Sequence, residues 1–217
     1  WTPAERELAM VKTYELDYRA RRYAAVRQGL AAMQPTAPEA DAERSWWLYQ
    51  AARRMDLDAD RQAAFTRISR HHAASSRHLD VLVAEGYRLL VDNKYEEYEP
   101  IYRACVTHFE RDPKAAFCHW KLVWSSYLRR RSDAEKLLRE HLQRFPHSEK
   151  ANTALYFLGR LAEQRGEPGA ARQLYDTIRT QFHHTYYALL AEERLNDPRI
   201  RGAAVPVAVR QFTSGIN

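Results

Sequence analysis

Glycine is scarce: seven residues in 217, about 3% against an average near 7%. No Asn-Gly or Asp-Gly pair is present to close a tight hairpin, and apolar/polar alternation is rare. A β-sandwich, a barrel and a Gly-rich phosphate cradle are therefore excluded. Long apolar runs are lacking too. The longest spans six residues, Tyr186 to Ala191, far short of a transmembrane helix. Trp1 opens the chain without a basic and apolar leader, so any signal peptide is expected to have been removed. What remains is 45% hydrophobic and 29% charged, the balance of a folded helical protein rather than a disordered one.

Lysine is rare, with six residues, and arginine carries the positive charge: 34 Lys and Arg stand against 28 Asp and Glu, a net of +6. Such a balance suits either a solvated surface or a groove facing a polyanion. Spacings such as Glu135 to Arg139 and Glu140 to Arg144 favour the solvated helix face. Arg21-Arg22 and Arg129-Arg130-Arg131 read as corners between helices. No nucleic-acid partner is expected.

The two cysteines are too few for a zinc site. Cys105 and Cys118 flank a turn at Arg111-Asp112-Pro113, so they either bridge in an oxidising compartment or stay separate as buried thiols. Separate thiols are the preferred reading. No P-loop, HExxH, GxSxG, CxxC or GxGxxG motif occurs. His71-His72 with His78, and His183-His184, are the histidine clusters. Neighbouring helical residues point about 100° apart, so these read as surface or corner residues rather than metal ligands. Glu96-Glu97 and Glu192-Glu193 splay apart for the same reason and sit in no catalytic frame. The sequence thus offers no catalytic residue, metal site or cofactor. Trp46-Trp47 with Tyr49 could stack on sugar rings, although core packing is the preferred reading.

Thr2-Pro3-Ala4-Glu5 is a capping box that starts a helix at the N-terminus. Leu8, Val11 and Tyr14 share its face, and Tyr23, Val26 and Leu30 mark a second helix. Gln34 to Ala42, with Pro35 and Pro38, is the longest expected loop. Helices are predicted at about 43–55, 60–74 and 77–91. Beyond Gly86 a repeat emerges. Pro113 to Pro146 is 33 residues, while Ala134 to Ala171 and Phe145 to Phe182 are each 37. Two helices per unit at that period mark tetratricopeptide-like hairpins. Pro100 should kink its helix or mark a later start. The expected fold class is all-α, an α-solenoid or superhelix of tetratricopeptide-like helical hairpins. Its parts are an N-terminal hairpin (1–34), a superhelical domain (43–195) and an extended tail or linker (196–217).

Residues 120–195 carry something more particular. Trp120-x3-Trp124-x2-Tyr127 leads to Phe145-Pro146-His147-Ser148 and then to Leu155-Tyr156-Phe157-Leu158-Gly159-Arg160. The run closes on Phe182-His183-His184-Thr185-Tyr186-Tyr187-Ala188-Leu189-Leu190-Ala191, ending at Leu195. This third of the chain resembles the helical region that precedes the catalytic domain of soluble lytic murein transglycosylases, with His183 where the family has Pro. The resemblance implies a periplasmic protein whose superhelix associates with peptidoglycan or cell-wall proteins. It also implies a separate lysozyme-like domain whose one glutamate acts as acid and base to cut the glycan with formation of a 1,6-anhydro ring. The Glu-Ser and Gly-Leu-Met-Gln signature of that domain is absent, and the 22 residues after Leu195 are too short to hold it. The chain is therefore expected to be the non-catalytic part. The rival expectation is a free-standing tetratricopeptide-like scaffold for protein partners. Candidate contacts for glycan or partner are Trp46, Trp47, Arg129 and Arg130.

Overall fold

A computed structural model describes residues 1–216, all of them in helices or the turns between helices. The chain divides into two compact units. The first, from Trp1 to Glu110, holds α1 (Pro3–Arg19), α2 (Tyr23–Ala32), α3 (Pro38–Arg54), α4 (Asp58–His71), α5 (Ser76–Val91) and α6 (Tyr95–His108). The second begins at Arg111 with α7 (Pro113–Leu128), α8 (Ala134–Arg144), α9 (Ala151–Gln164), α10 (Pro168–Gln181), α11 (Tyr186–Leu195), α12 (Pro198–Arg201) and α13 (Val207–Thr213). The expected all-α arrangement of helical hairpins is present, and it reaches back to α1, well before Gly86.

Two kinds of corner alternate. Where an odd-numbered helix turns into its hairpin partner, one residue adopts a left-handed conformation: Arg21, Asp56, Asn93, Arg130 and Gly166, with φ between 52° and 72°. The next backbone N–H then donates to the carbonyl five residues back. These bonds run from Arg22 to Asp17, Leu57 to Ala52, Lys94 to Leu89, Arg131 to Ser126 and Glu167 to Ala162, at 2.9–3.0 Å. The expected arginine corners are two of this set. Where α4, α6, α8 or α10 leads onward, the chain leaves through His72, Phe109, Phe145 or Phe182, with φ near −130°. Three residues later stands Ser75, Asp112, Ser148 or Thr185. The Ser75, Asp112 and Ser148 side chains accept the N–H two residues on, at 3.2, 2.8 and 3.3 Å; Ser75 and Asp112 thereby cap α5 and α7, and Ser148 braces the turn before α9.

Hairpin partners approach closely through glycine against tyrosine. A Cβ at Gly86 would meet the Tyr102 ring at 2.5 Å, and one at Gly159 would meet Tyr175 at 2.5 Å. Around these slots lie cores of leucine, alanine and tyrosine. That of the second unit takes in Leu138, Leu142, Leu155, Leu158, Ala171 and Ile178.

Several expectations change. Residues 34–42 are mostly helical rather than a loop, because Pro38 takes the first position of α3, where its missing N–H costs nothing. Glu7 of α1 fastens the short turn by accepting Thr36 N–H at 2.9 Å and Ala37 N–H at 2.8 Å. The N-terminal hairpin therefore packs on α3 through Val11, Val26, Leu30, Ala40 and Ala51. Pro100 lies within α6, which starts at Tyr95, not later.

The tail is not extended. Ala204 carbonyl lies where a Cβ on Gly169 would be, 1.9 Å away, Arg172 donates to Ala203 carbonyl at 3.0 Å, and Gln173 to Thr213 Oγ1 at 3.0 Å. Ile200 and Ile216 complete the core beneath it, and Asn217 lies outside the described residues. The cysteines differ as well. Cys105 and Cys118 are fully buried, and both are disulfide-bonded rather than free. Burial alone did not separate the two readings, since a disulfide and a thiol both prefer the interior.

Replacing Gly159 with alanine drives a methyl into the Tyr175 ring and should lower stability by about 1–3 kcal/mol. Arg130→Gly relieves a left-handed arginine and should raise stability by about 1 kcal/mol. Denaturant melts of both variants check the pair, and a neutral Gly159→Ala would contradict the packing.

Candidate functional site

Trp120, Trp124 and Tyr127 stand four and three residues apart on α7, so they share one face. Their rings lie nearly parallel: Trp120 and Trp124 at 5.8 Å and 19°, Trp124 and Tyr127 at 5.7 Å and 10°. From α9, Phe157 packs against Trp124 at 4.9 Å and Tyr127 at 4.6 Å. Tyr187 of α11 follows, 5.2 Å from Tyr156 and 5.9 Å from Phe157. Trp120 and Tyr156 are buried, while Trp124, Tyr127, Phe157 and Tyr187 keep part of their surface in solvent. Tyr186, 5.4 Å from Tyr187, extends the strip along α11; it and Leu189, three residues on, are each 68% exposed.

The strip is pinned from below by charge. Glu163 accepts the Tyr175 hydroxyl at 2.6 Å and the Arg194 Nε at 2.9 Å. Burial alone would raise its carboxyl, but the bonds from Arg194 and Tyr175 and the charges of Arg194 and Arg160 outweigh burial and hold it below the ordinary range. Arg160 lies at the strip with its buried Nε 4.0 Å from a Glu163 carboxylate oxygen, and a bond with Tyr156 raises its pKa. Glu85 is held low in the same manner, burial being outweighed by Arg88, Tyr49 and Arg61, and Asp41 by Arg67 and His72. An acid catalyst needs a carboxyl pushed upward. These three carboxyls, two buried and one half-buried, are pushed the other way.

Beneath Trp120 lies a pair absent from the sequence-level reading. His141, wholly buried, is 5.5 Å from Trp120, and its Nδ1 is 3.1 Å from Nδ1 of His119. Its Nε2 lies 2.8 Å from Ser148 Oγ. The two histidines are 22 residues apart on α7 and α8, a spacing that carries no local motif. Among the earlier clusters, His71 is exposed and His72 sits at its corner against Asp41 at 2.8 Å. His78 is buried rather than at the surface, held by Ala73 carbonyl at 2.8 Å and packed on Phe109.

The chain matches no protein-family model. No curated protein matches it either.

The other singled-out residues frame the strip or lie elsewhere. Gly159 receives Tyr175, Ala191 is buried, Leu190 packs on the core, and Pro146 follows Phe145 through its corner. Arg129 closes α7 and Arg130 is the left-handed corner residue. Trp47 belongs to the core of the first unit, with its Nε1 donating to Glu43 at 2.8 Å. Trp46 lies between the Arg77 guanidinium, 5.5 Å away, and the near-parallel ring of Tyr49. Phe157, the centre of the strip, stands in the family-like run Leu155 to Arg160, but no spacing signal marks it as joining α7. Among the described residues no group of three or more His, Cys, Asp or Glu could hold a metal, and no helix is long and apolar enough to cross a membrane.

Burial, reinforced by His119 alongside, pushes the His141 imidazole down to about 3. The unfolded chain, at its ordinary 6.5, takes up a proton that the folded chain refuses. Stability is therefore complete above pH 6.5 and falls as the pH drops toward 3, by about 2–3 kcal/mol at pH 4.5 for this group. Urea unfolding at pH 7.5 and 4.5 should show the drop. His141→Gln, which retains a partner for Ser148, should show a smaller one.

Proposed function

We propose that this chain is the non-catalytic helical region of a periplasmic soluble lytic transglycosylase, acting in peptidoglycan cleavage and cell-wall turnover by positioning glycan strands or partner proteins for a lysozyme-like domain. The aromatic strip is the observation that carries the reading. Residues from three separate stretches of the family-like segment, Trp124, Tyr127, Phe157 and Tyr187, converge on one partly exposed surface. Flat aromatic faces suit the apolar face of a sugar ring, and Arg160 at the edge suits the carboxylates of peptide stems. The disulfide-bonded cysteines favour an oxidising compartment. The role is geometric: hairpins hold the strip, and the strip holds the strand.

A second reading, a tetratricopeptide-like scaffold for protein partners, draws on Tyr186 and Leu189. They stand three residues apart on α11 and are both open to solvent.

Purified sacculi should retain the chain in a pull-down. Trp124→Leu combined with Tyr127→Leu keeps apolar bulk in the core while removing both rings, and should weaken retention about tenfold, equivalent to about 1.4 kcal/mol. Incubation with sacculi should release no soluble muropeptides above blank. Retention that is unchanged in the double variant would remove the strip from the account, and muropeptide release would overturn the non-catalytic assignment.

A further inference from the structure

A groove of about 270 Å³ opens on the first unit, floored by α3 and walled by α2 and α4. Its floor and sides are largely apolar: Leu48 from α3, Ala31 from α2, Ala63 and Ala64 from α4. Three guanidiniums face it, from Arg27, Arg44 and Arg67. Two carboxylates answer them. Asp60 pairs with Arg27, and Asp41 takes Arg67 at 2.9 Å and Arg44 at 3.3 Å. One of the three positive charges is left without a carboxylate of its own.

The floor holds an anomaly. Ser45 is wholly buried, and its Oγ has no hydrogen-bond partner. A serine inside a helix ordinarily turns its hydroxyl back to the carbonyl four residues earlier. Ser45 does not, and it lines the groove instead. Buried hydroxyls are rarely left unanswered.

We propose that this groove binds a small monocarboxylate bearing a short aliphatic group. The carboxylate sits among the three arginines and accepts the Ser45 hydroxyl, and the aliphatic part lies on Leu48 and the alanines. Guanidinium forks match the two coplanar oxygens of a carboxylate. One surplus charge matches a monoanion better than a phosphate dianion. The volume suits a ligand at the small end of the usual range. Free acids and the C-terminus of a peptide ending in alanine present the same chemistry. The site is independent of the glycan reading and stands or falls apart from it.

Amide NMR titration of the whole chain with N-acetylalanine tests this, with N-acetylalaninamide and inorganic phosphate as comparisons. N-acetylalanine should shift the Arg44, Ser45 and Ala64 signals with a millimolar or tighter Kd, and the amide and phosphate should bind at least tenfold more weakly. Tetra-alanine with a free C-terminus binding more tightly than N-acetylalanine identifies a chain terminus as the source; weaker binding identifies a free acid. Both outcomes carry the same recognition. Ser45→Ala should raise Kd threefold to tenfold without lowering the melting temperature, and Arg27→Gln should weaken binding similarly. Equal binding of acid and amide, phosphate binding as tight as the acid, or a Ser45→Ala variant that melts lower yet binds equally would each overturn the proposal.

Discussion

Everything in this fold hangs on a corner that needs one residue in the left-handed region and one hydrogen bond reaching back five residues. Arg21, Asp56, Asn93, Arg130 and Gly166 occupy it in turn, 35–37 residues apart. Four of the five are not glycine, so each carries backbone strain of about 1–2 kcal/mol. That strain persists because the bond it makes closes the helix end and aims the next helix back along its neighbour. Once the hairpin angle is set, the partner helices come close enough for Tyr102 and Tyr175 to lie directly on Gly86 and Gly159. A larger residue in those slots would force the hairpin open.

The onward corners complete the register. Within each unit, His72 and Phe145 at helix ends stand three residues before Ser75 and Ser148, whose side chains accept an N–H at the entry to the following helix and help set its phase. Phase is what gathers the aromatics. Trp124, Phe157 and Tyr187 come from three helices, and they touch because those helices begin in step. Glu163 with Tyr175 and Arg194, and Glu85 with Tyr49, add buried ties between helices. Such ties specify an arrangement more than they stabilise it, since burying the charges costs much of what their pairing returns.

The fold class was legible because helical spacing and glycine scarcity leave few alternatives. Gly166 and the paired arginines betrayed three corners. Asp56 and Asn93 did not, because neither residue type is reserved for a left-handed turn. The repeat faded before Gly86 because α1 to α4 keep the corner geometry while Tyr49, seven residues before its corner at Asp56, stands where Gly86 and Gly159 stand before theirs. The strip was half legible. Its α7 portion follows from spacing along one helix, whereas Phe157 and Tyr187 join it only through tertiary packing. His119 with His141, and Ser45 among its arginines, assemble from different helices and leave no local pattern. The tail looked extended because Pro198 and Pro206 read as breaks, yet each stands at a helix start, at the first position of α12 and just before α13.

Hydrogen exchange at the five corner amides tests this most directly. Arg22, Lys94, Arg131 and Glu167 are solvent-exposed residues, so protection of their backbone N–H can come only from the bond to the carbonyl five residues back. Those four, together with Leu57, should exchange slowly as a group, with protection near that of the helix interiors. Exchange at the rate of open turns, at several of the five, would contradict a fold organised by its corners.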